Sequence, residues 1–154
     1  MTRWLYWGPR DLYEVRTVLA RKIAGMTLAA DGDAISLAIE LRETGEMIGD
    51  AVVILASAVH EQGEVGYLID PAHQARGYAT ETTRELLQIV LGDVQLHRAC
   101  GRIETRNVAS GRVLERAGMR HEATLLENEF VKGEWQSEGI YAVLRSEWLE
   151  RTAD

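Results

Sequence analysis

Residues 63–79 read GEVGYLIDPAHQARGYA, and the architecture turns on them. The run GEVGYLID is strand-like and is closed by Pro71. From Tyr78 to Leu91, Ala79, Thr83, Leu86 and Val90 recur at helical spacing. Between strand and helix lies a short loop whose bare glycine, Gly77, is flanked by Arg76, Tyr78 and small Ala79. Backbone N–H groups gather around an anion at such a junction, because the first amides of a helix have no internal acceptor.

Upstream, RDLYEVRTVLARKIAGM puts Leu12, Val15, Val18, Leu19 and Ile23 on one helical face and ends near Gly25. DAISLAIELRETGEMIGDAVVILASAV then alternates Ile35, Leu37, Ile39 and Leu41, turns at ETGE and continues through Val52, Val53, Ile54 and Leu55, which predicts an antiparallel pair. Downstream, HRACGRIET predicts a strand. NVASGRVLERAG predicts a short helix with Asn107 as N-cap, Val113, Leu114 and Ala117 facing inward, and Gly118 as its stop. The remainder, MRHEATLLENEFVKGEWQSEGIYAVLRSEWL, holds two strand-like stretches joined at KGEW and ends in a short polar helix. The order predicts one mixed α/β domain over residues 1–154, with no internal repeat or linker.

Composition sets limits on function. With 46% hydrophobic and 27% charged residues the 154-residue chain has the make-up of a globular protein. No stretch is continuously apolar over the ~18 residues a bilayer crossing needs, so no membrane span is expected. The start, MTRWLYWGPRD, lacks the apolar region of a signal peptide. Cys100 is the only cysteine, which excludes an internal disulfide and a cysteine-rich zinc site and fits a reducing, cytoplasmic setting. A net charge of −7 argues against a nucleic-acid partner and favours a cationic one. His60, His73, His97 and His121 are too dispersed for a metal site, and His97 reads as ordering a strand entry. No metal is expected.

The anion can be narrowed further. A phosphate-binding P-loop needs Lys-Ser or Lys-Thr after its last glycine, and a dinucleotide fingerprint needs three spaced glycines with a downstream acid. Neither is present. One glycine among small residues, at the start of a helix and beside Arg76, suits a pyrophosphate approached closely by the backbone.

QARGYA matches the Gln/Arg-x-x-Gly-x-Gly/Ala pyrophosphate loop of the GNAT superfamily of acetyl-coenzyme A-dependent N-acetyltransferases. Together with LHRACGRIETRNVASGRVLERAGM and VKGEW it resembles the RimJ/RimL branch, which acetylates amino termini of ribosomal proteins and includes small-amine acetyltransferases. The resemblance implies a GNAT-like, mostly antiparallel central sheet flanked by helices. It implies acetyl-coenzyme A as co-substrate and, as acceptor, a protein N-terminal α-amino group or a small amine. It also implies site roles. Backbone groups of Leu68 and Ile69 pair with the pantetheine arm. The loop from Gln74 through Ala75, Arg76, Gly77, Tyr78 and Ala79 holds the pyrophosphate. Asn107 hydrogen-bonds the pantetheine, and Ser110 stands near the thioester sulfur as proton donor.

Amide formation from a thioester needs an uncharged amine, a polarised carbonyl and a proton for the departing thiolate. Glu64, at the start of the central strand, is the first choice for the base, directly or through water. Plainer readings stand beside these: Asn107 as a helix cap, Ser110 as a first-turn residue, Glu64 as a strand-edge carboxylate and Arg76 as a solvated loop charge. Trp4, Tyr6 and Trp7 either anchor the core or line the acceptor cleft.

Family members normally begin with a strand and a helix that have no counterpart here. Either the true start lies upstream of Met1, or another chain supplies the missing edge, or the protein manages without it. An uncovered edge strand tends to pair, which favours a homodimer. The competing function is a non-catalytic coenzyme A-binding module that regulates a partner, and a second rival is a broken paralogue that folds poorly after losing its first two elements. Intact Asn107 and Ser110 favour the enzyme.

Overall fold

Asp11 opens the first regular element in the computed structural model, which describes residues 7–152; Trp4 and Tyr6 lie outside the described residues. The Asp11 carboxylate accepts from the Glu14 N–H at 2.8 Å, and the Glu14 carboxylate accepts from the Asp11 N–H at 2.9 Å. Two amides that a helix start leaves bare are thereby satisfied reciprocally. Helix α1 spans Leu12–Ala24 and stops at Gly25. The expected apolar stripe forms but is not covered: Leu12, Leu19 and Ile23 are 76%, 53% and 67% exposed. Periodicity marks one face of a helix without saying what packs on it. Lys22, in the last turn, reaches the sheet with its Nζ 2.5 Å from the Asp50 carboxylate.

Strands β1 (Ala34–Glu40) and β2 (Met47–Ser57) form the expected antiparallel pair, with Ile35 opposite Val53 and Leu37 opposite Ala51. Strand β3 is Gln62–Ile69 and helix α2 is Tyr78–Leu87. The helix expected to reach Leu91 widens into a π-type turn over Gln88–Asp93 while keeping Val90 and Leu91 buried. Then come β4 (Arg98–Glu104), α3 (Val108–Arg116), β5 (Arg120–Val131), β6 (Glu134–Leu144) and α4 (Arg145–Thr152). Lys132 and Gly133, at φ 52° and 86°, form the tight turn between β5 and β6, so Glu134 and Trp135 of the expected KGEW turn already belong to β6.

The six strands lie in the order β1-β2-β3-β4-β6-β5. Every neighbouring pair is antiparallel except β3 and β4, which run parallel. That parallel pairing stops after Gln62–Arg98, Gly63–Ala99 and Glu64–Cys100. Beyond Glu64 the two strands diverge and the sheet forks. Ala51, Val53 and Leu55 of β2 and Val65 of β3 point to one face, where they meet Leu86, Leu87, Val90 and Leu91, all buried. Truncating one such leucine to alanine costs about 2–5 kcal/mol. Glu64, Asp50 and Arg102 lie on the opposite face, the side that α1 reaches through Lys22.

No strand precedes α1 among the described residues, and β1 ends the sheet, touched at Ala34 by a single parallel bridge from Met26. No helix among them is long and apolar enough to cross a membrane.

Candidate functional site

The fork gives β3 an unusual edge. The Asp70 N–H donates to the Ile48 carbonyl at 2.7 Å, and the Arg98 N–H donates to the Glu61 carbonyl at 3.1 Å. Backbone groups alternate along a strand, so even-numbered residues of β3 turn theirs to β2 and odd-numbered ones turn theirs to β4. Past Glu64 there is no β4 to meet. The backbones of Tyr67 and Ile69 therefore face an open cleft of about 830 Å³. Leu68 does not share this role: its carbonyl points at β2, where any side chain at position 49 would collide with it, and Gly49 avoids the collision. Of the two residues expected to pair through their backbones with a pantetheine arm, Ile69 turns its backbone to the cleft with Tyr67, whereas Leu68 turns its own to β2 and is among the residues that line the cleft.

The loop after β3 closes one end of the cleft. Asp70 Oδ1 accepts from the Ala72 N–H at 2.8 Å and sets a short turn over Pro71–His73. The Gln74 amide then reaches back, Nε2 donating to the Ile69 carbonyl at 2.9 Å. Ala75 and Gly77 both adopt left-handed backbone, at φ 61° and 91°. Gly77 caps α2 without a side chain, and the helix's first internal bonds are Thr80 and Glu81 N–H to the Gly77 carbonyl, at 3.0 and 3.1 Å. The amides of Ala75 to Ala79 are left with no protein acceptor among the described residues, at the positive end of the α2 dipole. Gln74, Ala75, Gly77, Tyr78 and Ala79 line the cleft; Arg76 is exposed and does not.

Across the fork, α3 presents its first turn. Asn107 Oδ1 accepts from the Ser110 N–H at 3.3 Å, so Asn107 is the helix cap that its sequence position suggests, and both residues also line the cleft. Ser110 Oγ accepts from the Tyr67 hydroxyl at 3.3 Å. Burial pushes the Tyr67 phenol above its ordinary value, and the bond to Ser110 opposes this. Sequence reasoning missed Tyr67. Its signal is positional, an odd-numbered residue of β3 on the helix-bearing face, and it becomes legible only once the fork is known.

The opposite face of the sheet carries charge. Glu64 stands at the fork itself, its Oε2 3.4 Å from Arg102 Nε, rather than in the cleft wall. Burial raises its carboxyl above the usual value, and the Arg102 charge pulls the other way. Arg102 Nη1 donates to Glu138 Oε2 at 3.1 Å. Cys100 lies beside them, its thiol pushed up to about 11 by burial and by the Glu64 charge; at neutral pH it is protonated and no nucleophile. Trp7 lines the cleft while 41% exposed, which fits the lining role and not core anchoring.

Comparison with known proteins gives this geometry a lineage. The uncharacterized N-acetyltransferase YnaD of Bacillus subtilis is 32% identical over 108 residues, 70% of this chain and 63% of that protein. YjcK of the same organism, a probable N-acetyltransferase, is 34% identical over 80 residues, 52% and 44%. The chain's match thus spans between about two fifths and two thirds of these relatives' lengths. The spermidine N(1)-acetyltransferase of Vibrio cholerae is 26% identical over 106 residues, 69% of this chain and 61% of that protein. Among solved structures, a GNAT-family acetyltransferase from Bacillus anthracis superposes with a TM-score of 0.83 at 22% identity, covering 94% of this chain and 81% of that one. The Vibrio cholerae spermidine N-acetyltransferase in complex with CoA and spermine gives 0.81 at 20% identity, covering 96% and 84%. At such identities the superpositions show the shared fold. The model of the acetyltransferase (GNAT) domain matches residues 1–120, which include the forked strand, the glycine loop and α3, and on that match the chain belongs to the GNAT family.

Proposed function

We propose that the protein transfers an acetyl group from acetyl-coenzyme A to a primary amine, by direct attack in a ternary complex. One observation carries this reading: a strand edge left open by the fork runs straight into a loop whose amides have no protein acceptor among the described residues. A pantetheine arm, with its own amides, can extend the sheet beside Tyr67 and Ile69, and a pyrophosphate can take the N–H groups of Ala75 to Ala79. Asn107 and Ser110 flank the same path. Bound acetyl-coenzyme A supplies a thioester.

Glu64 accepts the amine proton, directly or through water; the amine nitrogen then bonds to the thioester carbon as the carbon–sulfur bond breaks. The second N–H proton, lost from nitrogen as the amide forms, reaches the departing thiolate by relay through Ser110, backed by Tyr67, so that both hydroxyls end as they began. Positioning does most of the work, because a thiolate leaves readily.

Asp50, Glu104, Glu129 and Glu138 line the cleft with Arg102, Arg112 and Arg116, and the buried Glu138 carboxylate in that wall supports a cationic small amine as acceptor. The spermine-bound Vibrio relative supports the same choice over a protein N-terminus, the other acceptor of the RimJ/RimL branch that the chain resembles. The lone Cys100 supports a cytoplasmic setting, and the uncovered stripe of α1 beside edge strand β1 supports a homodimer. The hydroxyl pair of Tyr67 and Ser110 favours an enzyme over a coenzyme A-binding regulator, which has no thiolate to protonate.

Thiol release, measured with acetyl-coenzyme A and a panel of peptide N-termini, polyamines and aminoglycosides, tests the reading. Acetyl-coenzyme A is expected to raise Tm, acetyl-pantetheine much less, and at least one amine to give turnover. A Tm shift without turnover on any amine assigns the regulator, and no shift at all overturns both.

A further inference from the structure

Glu138 is 4% exposed, on β6, in the wall of the cleft. Its Oε2 is fully engaged, accepting from Arg102 Nη1 at 3.1 Å and from Asn128 Nδ2 at 3.1 Å. Its Oε1 is buried and has no hydrogen-bond partner among the described residues. An unpaired buried carboxylate oxygen is costly, and local charge does not relieve it. Arg102 is shared between Glu138 and Glu64, and Glu129, on the same wall, adds a further negative charge.

A group with N–H donors, positive charge and no acceptor atom completes this arrangement, which describes an ammonium. It is not the reacting amine, whose proton goes to Glu64 and which a second carboxylate would only hold in its charged form. The charge therefore belongs to another nitrogen of the same molecule.

We propose that Glu138 binds a second, protonated amine of the acceptor, so that the site selects di- and polyamines over single amines. This rests on the acetyl-transfer reading and adds the residue that sets acceptor choice. Glu64 serves the reacting nitrogen and Glu138 the remote one.

Calorimetry on the coenzyme A-saturated chain, with 1,4-diaminobutane and 1-aminobutane as probes, separates the two. Glu138→Gln keeps an oxygen for Arg102 and Asn128 and removes the charge. It is expected to weaken the diamine by about tenfold or more, the scale of one charged hydrogen bond, and the monoamine less than about twofold, with the acetyl-coenzyme A Tm shift unchanged. Equal loss for both amines, or loss for neither, with that shift intact, overturns the role of Glu138 alone. A wild-type chain with no shift overturns the acetyl-transfer reading and this proposal with it. Should Glu138→Gln fail to fold, Glu129→Lys probes the same field from the cleft wall: selective loss of the diamine supports the proposal, and unchanged diamine binding overturns it.

Discussion

The Tyr67 hydroxyl donates to Ser110 Oγ across 3.3 Å and so links β3 to the first turn of α3 over the fork. With Tyr67 donating, Ser110 keeps its own hydrogen to give, and an accepted bond makes a hydroxyl a better donor; two hydroxyls can also exchange these roles. A raised phenol pKa keeps Tyr67 protonated, hence a donor, through neutral pH. Ser110→Ala is expected to lower kcat by about tenfold to a hundredfold, at or below the low end for general acids because thiolate is a good leaving group. The KM for acetyl-coenzyme A should barely move. Tyr67→Phe should lose less, and the double variant should lose little more than Ser110→Ala, since the two act in series. Full turnover per folded molecule in Ser110→Ala would return Ser110 to an ordinary place in the helix.

Gly77 tests the loop. A Cβ there meets no atom within 4 Å, so space is free and only the φ of 91° resists a side chain. Asparagine tolerates left-handed backbone and a β-branched residue does not. Gly77→Asn is therefore expected to keep most of the Tm shift given by acetyl-coenzyme A. Gly77→Val, strained by about 1–2 kcal/mol, should lose it, because the chain relaxes by turning its amides out of the nest. Gly77→Glu should lose it by charge. Equal shifts in all three variants would remove the loop from the cofactor site.

Most of the fold was legible because its elements carry their own periodicity. Thr83, Leu86 and Val90 are spaced for a helix and are all buried, and Asn107 and Gly118 bracket α3 where their chemistry suits. What could not be read depends on partners far along the chain. The uncovered stripe of α1 looks the same in sequence as a covered one. The exchange of Leu68 for Tyr67 follows from which neighbour each face of β3 meets, a fact of pairing with β2 and β4. Arg76 sits beside Gly77 in sequence yet is exposed and does not line the cleft. Glu138 reads as a polar residue between Ser137 and Gly139, and its burial becomes intelligible only with Arg102 and Asn128 against it.

Glu64 carries the pH dependence. Burial raises its carboxyl pKa and the Arg102 guanidinium, 3.4 Å away, limits the rise. Below that raised value Glu64 is protonated and cannot take the amine proton, so kcat should fall on the acid side with a midpoint above the ordinary glutamate value of 4.5. Glu64→Gln should flatten this limb and lower kcat by about a hundredfold, with cofactor binding unchanged. Loss of folding would not be the cause. A carboxyl whose pKa is higher folded than unfolded favours the native state below the unfolded pKa, and that advantage is lost as pH rises through the folded value. Ionised Glu64 is thus no asset to stability at neutral pH. The variant's Tm at pH 7 should match or exceed that of the wild type, Arg102 retaining Glu138 as partner. Profiles of kcat against pH for acceptors of different basicity decide the role. If the base is Glu64, the acid limb stays in place as the acceptor changes and vanishes in Glu64→Gln. A limb that instead follows the acceptor's own pKa, in both proteins alike, means that the amine arrives neutral or loses its proton to ordered water, and Glu64 is then a partner of Arg102 alone.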